Sequence, residues 1–274
     1  MRTQAEKALA FRDLHQRDSA FIIPNPFDVG SALLLQHLGF EALATSSAGH
    51  AYSFGRPDGG VSREEVFEHA RLVCAATDLP VSADMENGFG EDLKAVEETY
   101  RLAAVVGLAG ASIEDVSHRP EAQSYEISEA ADRVRAAVAA VRNLGFPFTI
   151  TARCENYLVG KPDLADTIRR LQAYQEAGAD VLFAPGLASL SDIAELVRSV
   201  DRPVNVIMGL AGVKLTLNEL SAVGVKRISV GSSLARVAYS GFMRAAQSMQ
   251  ETGSFGFADG AVSYREFNEI FSAY

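Results

Sequence analysis

Cysteine is scarce in this chain: Cys74 and Cys154 are the only two in 274 residues. Two thiols, with no CxxC and no Cys/His cluster, make neither a disulfide framework nor a zinc site. Basic residues are outnumbered, 25 Lys and Arg against 35 Asp and Glu, for a net charge of −10. That balance excludes a nucleic-acid groove or a polybasic membrane surface as the main partner, while leaving room for a local cationic pocket that takes a small anion. No run of 18 or more apolar residues occurs, so no membrane-spanning helix is expected. The amino terminus, MRTQAEKALAFRDLHQRD, alternates charges like a helix and lacks the apolar stretch of a secretion signal. A soluble cytoplasmic protein is the expectation. There is no linker, low-complexity tract or long charge run, and neither G-x-G-x-x-G nor G-x-x-x-x-G-K-[ST] is present.

What is present is a rhythm. Eight short apolar runs, rich in β-branched or aromatic residues, recur roughly every 30 residues: 20–24, 41–46, 80–84, 110–115, 148–153, 180–185, 203–208 and 227–231. Continuous runs of this kind suit strands buried on both faces of a parallel sheet. Helical patterns at 29–38, 63–76, 91–106, 128–144, 163–177, 189–200, 217–223 and 234–250 alternate with them. Gly39, Gly107, Gly145, Gly178 and Gly224 close helices just before the next strand. Strand–helix alternation repeated eight times predicts α/β architecture, a (β/α)8 TIM barrel, with an open doubly wound sheet as the alternative. The usual barrel of about 250 residues leaves an amino-terminal helix and a carboxy-terminal tail. We expect one domain over 1–274, its tail 252–274 packing on the barrel or on a neighbouring subunit.

A barrel places chemistry at the carboxyl ends of its strands. Polar residues collect there: Thr45-Ser46-Ser47 after the second, Asp84-Met85-Glu86-Asn87 after the third, Glu114-Asp115 after the fourth and Arg153-Cys154-Glu155-Asn156 after the fifth. A long loop after the second strand carries His50 and Arg56-Pro57-Asp58-Gly59-Gly60; the seventh strand carries Asn205 and the eighth ends in Gly231-Ser232-Ser233. Asp84 and Glu86 lie two apart on an extended segment, which points both to one face. Glu114 joins them from the neighbouring strand. Carboxylates converging beside Arg153 repel one another unless a hard divalent cation lies between them, and oxygen ligands with waters suit Mg²⁺ or Mn²⁺. Arg153 can grip a substrate carboxylate or phosphoryl group, and the Ser46-Ser47-Ala48-Gly49 turn can offer N–H groups and hydroxyls to a second anionic group. The substrate these groups imply is small, polyanionic and metal-chelating, such as an oxo- or hydroxy-dicarboxylate.

Each residue also has a plainer reading. Asp84, Glu86 and Glu114 can be helix caps and surface ion pairs, Ser46 and Ser47 ordinary turn residues, and Arg153 a structural partner of Glu155 or Glu114. The last reading is compatible with a role in the site. Strand alternation turns Cys154 away if Arg153 faces inward, so Cys154 is expected to be a buried structural thiol, and Cys74 a core residue on its helix. His50 and His118 can be loop histidines, the latter in a lid over 116–126, and Lys161 a solvated loop residue.

The motifs T-S-S-A-G, G-R-P-D-G-G, S-A-D-M-E-N-G-F-G, A-S-I-E-D and T-A-R-C-E-N, in that order, resemble the phosphoenolpyruvate mutase / isocitrate lyase superfamily over about residues 21–240. The resemblance implies a (β/α)8 barrel, Mg²⁺ and 2-oxo or 2-hydroxy acid substrates in which a C–C or P–C bond is made or broken beside a pyruvate-like unit through an enolate. It implies Asp84 as direct metal ligand, with Asp58, Glu86 and Glu114 holding metal-bound waters. It assigns the carboxylate and carbonyl oxygens to Ser46, Ser47 and Ala48, and the anionic end of the substrate to Arg153. Asn205 joins the substrate-binding set, and Ser46, Asp58, Glu114 and Arg153 the catalytic one. It also implies a homo-oligomer, a tetramer or a dimer, with the last helix exchanged between subunits. The apolar residues Phe255, Phe257, Val262, Tyr264, Phe267 and Phe271 fit such a helix.

Two departures shape the expected activity. The superfamily's isocitrate and methylisocitrate lyases carry K-K-C-G-H after the fourth strand, with Cys as proton donor; here the segment reads Val116-Ser117-His118-Arg119-Pro120-Glu121. The phosphonopyruvate-handling members carry a Lys/Asn/Ser lid and a His after the sixth strand, which here ends Ala184-Pro185-Gly186. Decarboxylase- or aldol-lyase-like cleavage of a C–C bond in a small dicarboxylate survives the missing acid best. The alternatives are P–C chemistry of the phosphonomutase or carboxyphosphonate mutase type, and a non-catalytic metabolite-binding barrel.

Overall fold

A computed structural model describes residues 2–119 and 122–274. The chain begins with α1 (Gln4–Leu14), β1 (Phe21–Ile23), α2 (Val29–His37), β2 (Leu43–Ala44), α3 (Ser47–Ser53), α4 (Arg63–Ala76), β3 (Val81–Asp84), α5 (Leu93–Val105) and β4 (Gly110–Glu114). A two-stranded antiparallel excursion, β5 (Val116–Arg119) and β6 (Ala122–Ser124), follows. The chain returns through α6 (Ile127–Val141), β7 (Thr149–Arg153), α7 (Leu164–Glu176), β8 (Val181–Phe183), α8 (Leu190–Arg198), β9 (Val204–Ile207), α9 (Leu217–Ala222) and β10 (Arg227–Ser229). It ends in α10 (Ser233–Thr252), a 3-10 turn at Gly256–Gly260 and α11 (Tyr264–Phe271).

The eight strands expected from the apolar runs all form, in the order β1-β10-β9-β8-β7-β4-β3-β2, every pairing parallel. Between β1 and β2 the Ala44 N–H donates to the Pro24 carbonyl at 3.1 Å, and Asn25 ties the seam together: its Nδ2 donates to Thr45 O at 3.0 Å while its Oδ1 accepts the N–H groups of Val230 and Gly231 at 2.9 Å. The protein is a (β/α)8 barrel.

The helices form where their apolar spacing directs. In α5 the buried positions are Val96, Thr99, Tyr100, Ala103 and Ala104, a stripe at three- and four-residue intervals. Asp92 and Asp163 cap α5 and α7 through their side chains, and Ser62 forms a full capping box with Glu65 on α4, each cap contributing about 1 kcal/mol. Helix α1 closes the amino-terminal end of the barrel. Its Ala8, Phe11 and Leu14 pack with Phe21, Ile23, Ala42 and Ala109 in a small separate core. Gly110 lets α1 come this close, because a Cβ there would stand 2.5 Å from Thr149 O and 3.1 Å from the Phe11 ring.

One local expectation is corrected and another is given its form. The segment after β2 is not a plain loop: Ser47–Ser53 is helical, with Ser46 as N-cap accepting the Gly49 N–H at 3.3 Å. The lid expected over 116–126 contains a β-hairpin, from Val116–Arg119 and Ala122–Ser124. Pro120 and Glu121, and the side chains of His118 and Arg119, lie outside the described residues. At the carboxy terminus α11 lies against α2, yet none of its residues is buried, and α10 buries only Ala235. No described helix is long and apolar enough to cross a membrane.

Candidate functional site

A cavity of about 210 Å³ opens at the carboxyl ends of the strands and runs into the barrel. Its lining includes Thr45, Ser46, Ser47, Ala48, Asp58, Asp84, Arg153 and Asn205. The strand register explains the convergence. Asp84 pairs with Ser112 across β3 and β4, and Glu114 with Arg153 across β4 and β7, so the four polar ends share one rim.

Arg153 is the hub. Its Nη1 lies 2.8 Å from Asp84 Oδ1 and 3.1 Å from Glu114 Oε2, its Nε donates to Glu155 Oε1 at 2.9 Å, and its guanidinium sits 5.3 Å from the centre of the Phe183 ring. All four charged side chains are largely buried. Both readings of Arg153 meet here: it is the structural partner of three carboxylates, and it also lines the cavity where a grip on substrate is expected. The pairing with Glu155, two residues beyond Arg153, is the structural partnership the sequence offered for it. The Glu155 backbone N–H is held by Asp115 Oδ1 at 2.8 Å, and Asp115 in turn accepts from Tyr174 at 2.6 Å and Arg170 at 3.1 Å.

Burial alone would raise the Asp84 carboxyl, but Arg153, the Glu86 N–H and the Ser47 N–H outweigh it and hold it below the usual range. Thr45 Oγ1 accepts the Asp84 N–H at 3.1 Å, and Ser112 Oγ donates to Asp84 Oδ1 at 3.2 Å. The opposite holds for Glu86. Burial, then Asp84 and Asp58, push it up to about 7, and its Oε1 is buried without a partner. Burial also raises Glu114 and Glu155, against the pull of Arg153.

The alternation argument for Asp84 and Glu86 is corrected in its cause. The strand ends at Asp84, and Glu86 adopts a left-handed φ of 47°. Its carboxylate approaches Asp84 because the chain turns. Such a non-glycine conformation persists where the surroundings over-determine it. Arg133 does this here, buried beneath the loop and donating to the carbonyls of Asn87, Gly90 and Glu91 at 2.5–2.8 Å, with its guanidinium 4.3 Å from the Tyr125 ring centre.

The donor set fits a hard divalent cation. Asp58, Asp84, Glu86, Glu114 and Glu155 offer only oxygens, Arg153 is the only cation that pairs with any of them among the described residues, and Glu86 retains an unpartnered buried oxygen. No group of three or more His, Cys, Asp or Glu side chains among the described residues is arranged to hold a metal ion.

The remaining expectations divide. Ser46, Ser47 and Ala48 line the cavity as the start of α3, with the Ser46 hydroxyl engaged as cap acceptor. Asp58 lines the cavity from its exposed loop and accepts the Gly59 N–H at 3.1 Å. Asn205 lines the cavity as well, its amide donating to Ser229 Oγ at 3.1 Å and accepting from Arg227 Nε at 3.0 Å. Cys154 is buried and absent from the lining, its thiol pushed well up by burial. Cys74 is likewise pushed up to about 12. His50 lies on α3, buried, its ring stacked on His69 at 4.0 Å, and it does not line the cavity.

The sequence pattern of the phosphoenolpyruvate phosphomutase family matches residues 11–250. Among solved structures, one from Burkholderia cenocepacia J2315, described as "a putative lyase/mutase", shares 54% identity with a TM-score of 0.96, covering 98% of this chain and 96% of that one. Oxaloacetate acetylhydrolase in complex with its product oxalate shares 25% identity with a TM-score of 0.86, over 98% of this chain and 93% of that one. The 2-methylisocitrate lyase of Escherichia coli K12 is 33% identical over 203 residues, 71% of this chain and 67% of its own.

Proposed function

The chain belongs to the phosphoenolpyruvate phosphomutase family, and we propose that it is a Mg²⁺-dependent lyase that cleaves a C–C bond in a small 2-oxo or 2-hydroxy dicarboxylate. The observation that carries this reading is the oxygen-only carboxylate cluster at the barrel mouth, in excess over its one paired cation and bordered by the start of α3. The relatives named as acting on methylisocitrate and oxaloacetate support the substrate class.

In this reading Asp84 would hold the metal directly, and Asp58, Glu86 and Glu114 would hold it through waters; Mn²⁺ would suit the same donors. The metal, when bound, supplies Lewis-acid polarisation of the substrate's oxygens. Arg153 keeps Asp84 ionised and fixes its orientation through the 2.8 Å bond. The hydroxyls of Ser46 and Ser47 and the backbone N–H group of Ala48 orient the substrate's carboxylate and carbonyl oxygens, where enolate charge develops as the bond breaks. Cleavage of this kind needs no acid before bond breaking, which suits a chain without the superfamily's lid cysteine.

The carboxy-terminal segment supports self-association. Phe242, Met243, Phe255 and Tyr264 are each more than half exposed, and an apolar face of this extent marks an interaction surface. We read it as packing against a second copy of this chain, in a tetramer or a dimer. A screen of oxaloacetate, 2-methylisocitrate, isocitrate, malate-type acids and phosphonopyruvate with Mg²⁺ tests the reaction. C–C cleavage that is absent with EDTA supports it. Turnover of phosphonopyruvate alone favours P–C chemistry, and binding without turnover of any of them favours a metabolite-binding barrel.

A further inference from the structure

Barrel interiors are normally filled by bulky branched side chains. Here several inward positions carry small polar groups, Ser82, Ser112, Asn205 and Ser229 among them, and the cavity reaches down to Arg227 at the first residue of β10. Arg227 is 5% exposed. Its Nε donates to Asn205 Oδ1 at 3.0 Å, and its Nη1 lies 3.5 Å from His15 Nε2 on α1. His15 is held neutral, pushed down to about 3 by burial and then by Arg227, and its Nδ1 faces the Phe11 carbonyl at 2.8 Å. With the proton on Nδ1, Nε2 is an acceptor.

Both partners of Arg227 are therefore neutral acceptors, which orient the guanidinium and leave its charge in place. Among the described residues no carboxylate pairs with it, whereas Arg153 at the mouth has three. Burial, and then Arg153, lower Arg227 to about 9, so it remains a cation at neutral pH. An uncompensated buried cation costs several kcal/mol, and a guanidinium fork suits a carboxylate. The cavity's 210 Å³ is space for roughly seven waters, enough for a diacid of a few carbons.

We propose that Arg227, positioned by Asn205 and His15, binds the second carboxylate of the substrate deep in the barrel, while the first engages the Ser46–Ala48 start of α3 at the mouth. The inference rests on the reading of this cavity as a dicarboxylate site. It assigns the diacid's far end to Arg227 rather than to Arg153.

The test is thermal unfolding in EDTA with malonate, acetate or inorganic phosphate, on wild type, Arg227→Gln and Arg227→Lys. Malonate should raise the wild-type Tm more than acetate or phosphate do, R227Q should lose that difference, and R227K should keep part of it. Malonate stabilising R227Q as strongly as wild type overturns the assignment, and phosphate matching malonate overturns the carboxylate specificity. A bromide-soaked wild-type crystal needs no variant. An anomalous peak within hydrogen-bond distance of Arg227 is expected, and peaks elsewhere with none at Arg227 overturn the subsite. If the proposed lyase activity fails, the malonate and bromide results still decide the subsite. If it succeeds, R227Q should raise KM for the diacid roughly tenfold or more, and an unchanged KM overturns the inference alone.

Discussion

Replacing Arg153 with methionine keeps the stem that packs by Phe183 and removes the one charge shared by Asp84, Glu114 and Glu155. Removing one partner of a buried ion pair costs about 3–5 kcal/mol, because the other charge is left uncompensated. The whole fold is worth only about 5–15 kcal/mol. At 2–4 °C per kcal/mol for a chain of this size, the Tm should fall by roughly 6–20 °C. The pH dependence identifies the cause. In the wild type the depressed Asp84 value contributes stability above its ordinary 3.8 that is lost as pH falls. In the variant the carboxylates instead rise, so protonation relieves them in acid. The gap between the two proteins should be widest near pH 8 and narrow toward pH 4. Added MgCl₂ should recover part of the loss at pH 8 by supplying the missing positive charge. Urea unfolding at several pH values, with and without Mg²⁺, measures all three. A loss below about 1 kcal/mol, or a gap that does not change with pH, would refute the hub role of Arg153.

The stability of the metal-free protein should fall as pH rises from Glu86's ordinary 4.5 through its raised value of about 7, because the folded state favours the protonated carboxyl. Allowing for solvent screening, the change is about 1–2 kcal/mol, and Glu86→Gln should flatten it; an equal slope in the variant assigns the effect elsewhere. Cys154→Ser should retain kcat and KM, since the thiol is buried away from the cavity; lost turnover in a folded variant would make the thiol catalytic. Phe242→Asp should lower the association state seen by light scattering, as Phe242 is 71% exposed on α10; an unchanged mass removes this face from the interface.

All eight barrel strands are legible because each is a run of apolar residues buried on both faces, as in Phe148-Thr149-Ile150-Thr151. The hairpin is not, because Val-Ser-His-Arg and Ala-Gln-Ser offer neither alternation nor a turn signature. Helix α3 is hidden by its length of 7 residues and by its serines and glycine, which read as a turn. At the site, the rule that barrel chemistry gathers at the carboxyl ends of strands finds Asp84, Glu114 and Arg153, and period-two reasoning adds Glu86. It names Glu86 but misses the cause, because the backbone there turns left-handed under a clamp by Arg133, 47 residues distant in sequence and invisible to local pattern. Ser112 stands two residues before Glu114 on the same strand, so period-two reasoning could have found it. Arg227 escapes because barrel logic directs attention to strand ends, although a charged residue within an apolar strand is itself a signal.

Carbon-13 NMR of labelled oxaloacetate and 2-methylisocitrate, incubated with wild type and Asp84→Ala in Mg²⁺ or EDTA, tests the central claim most directly. The expected result is C–C cleavage by the wild type in Mg²⁺ alone, for at least one of the two acids. Cleavage by the Asp84→Ala variant at the wild-type rate, or cleavage of neither acid by the wild type, would contradict it.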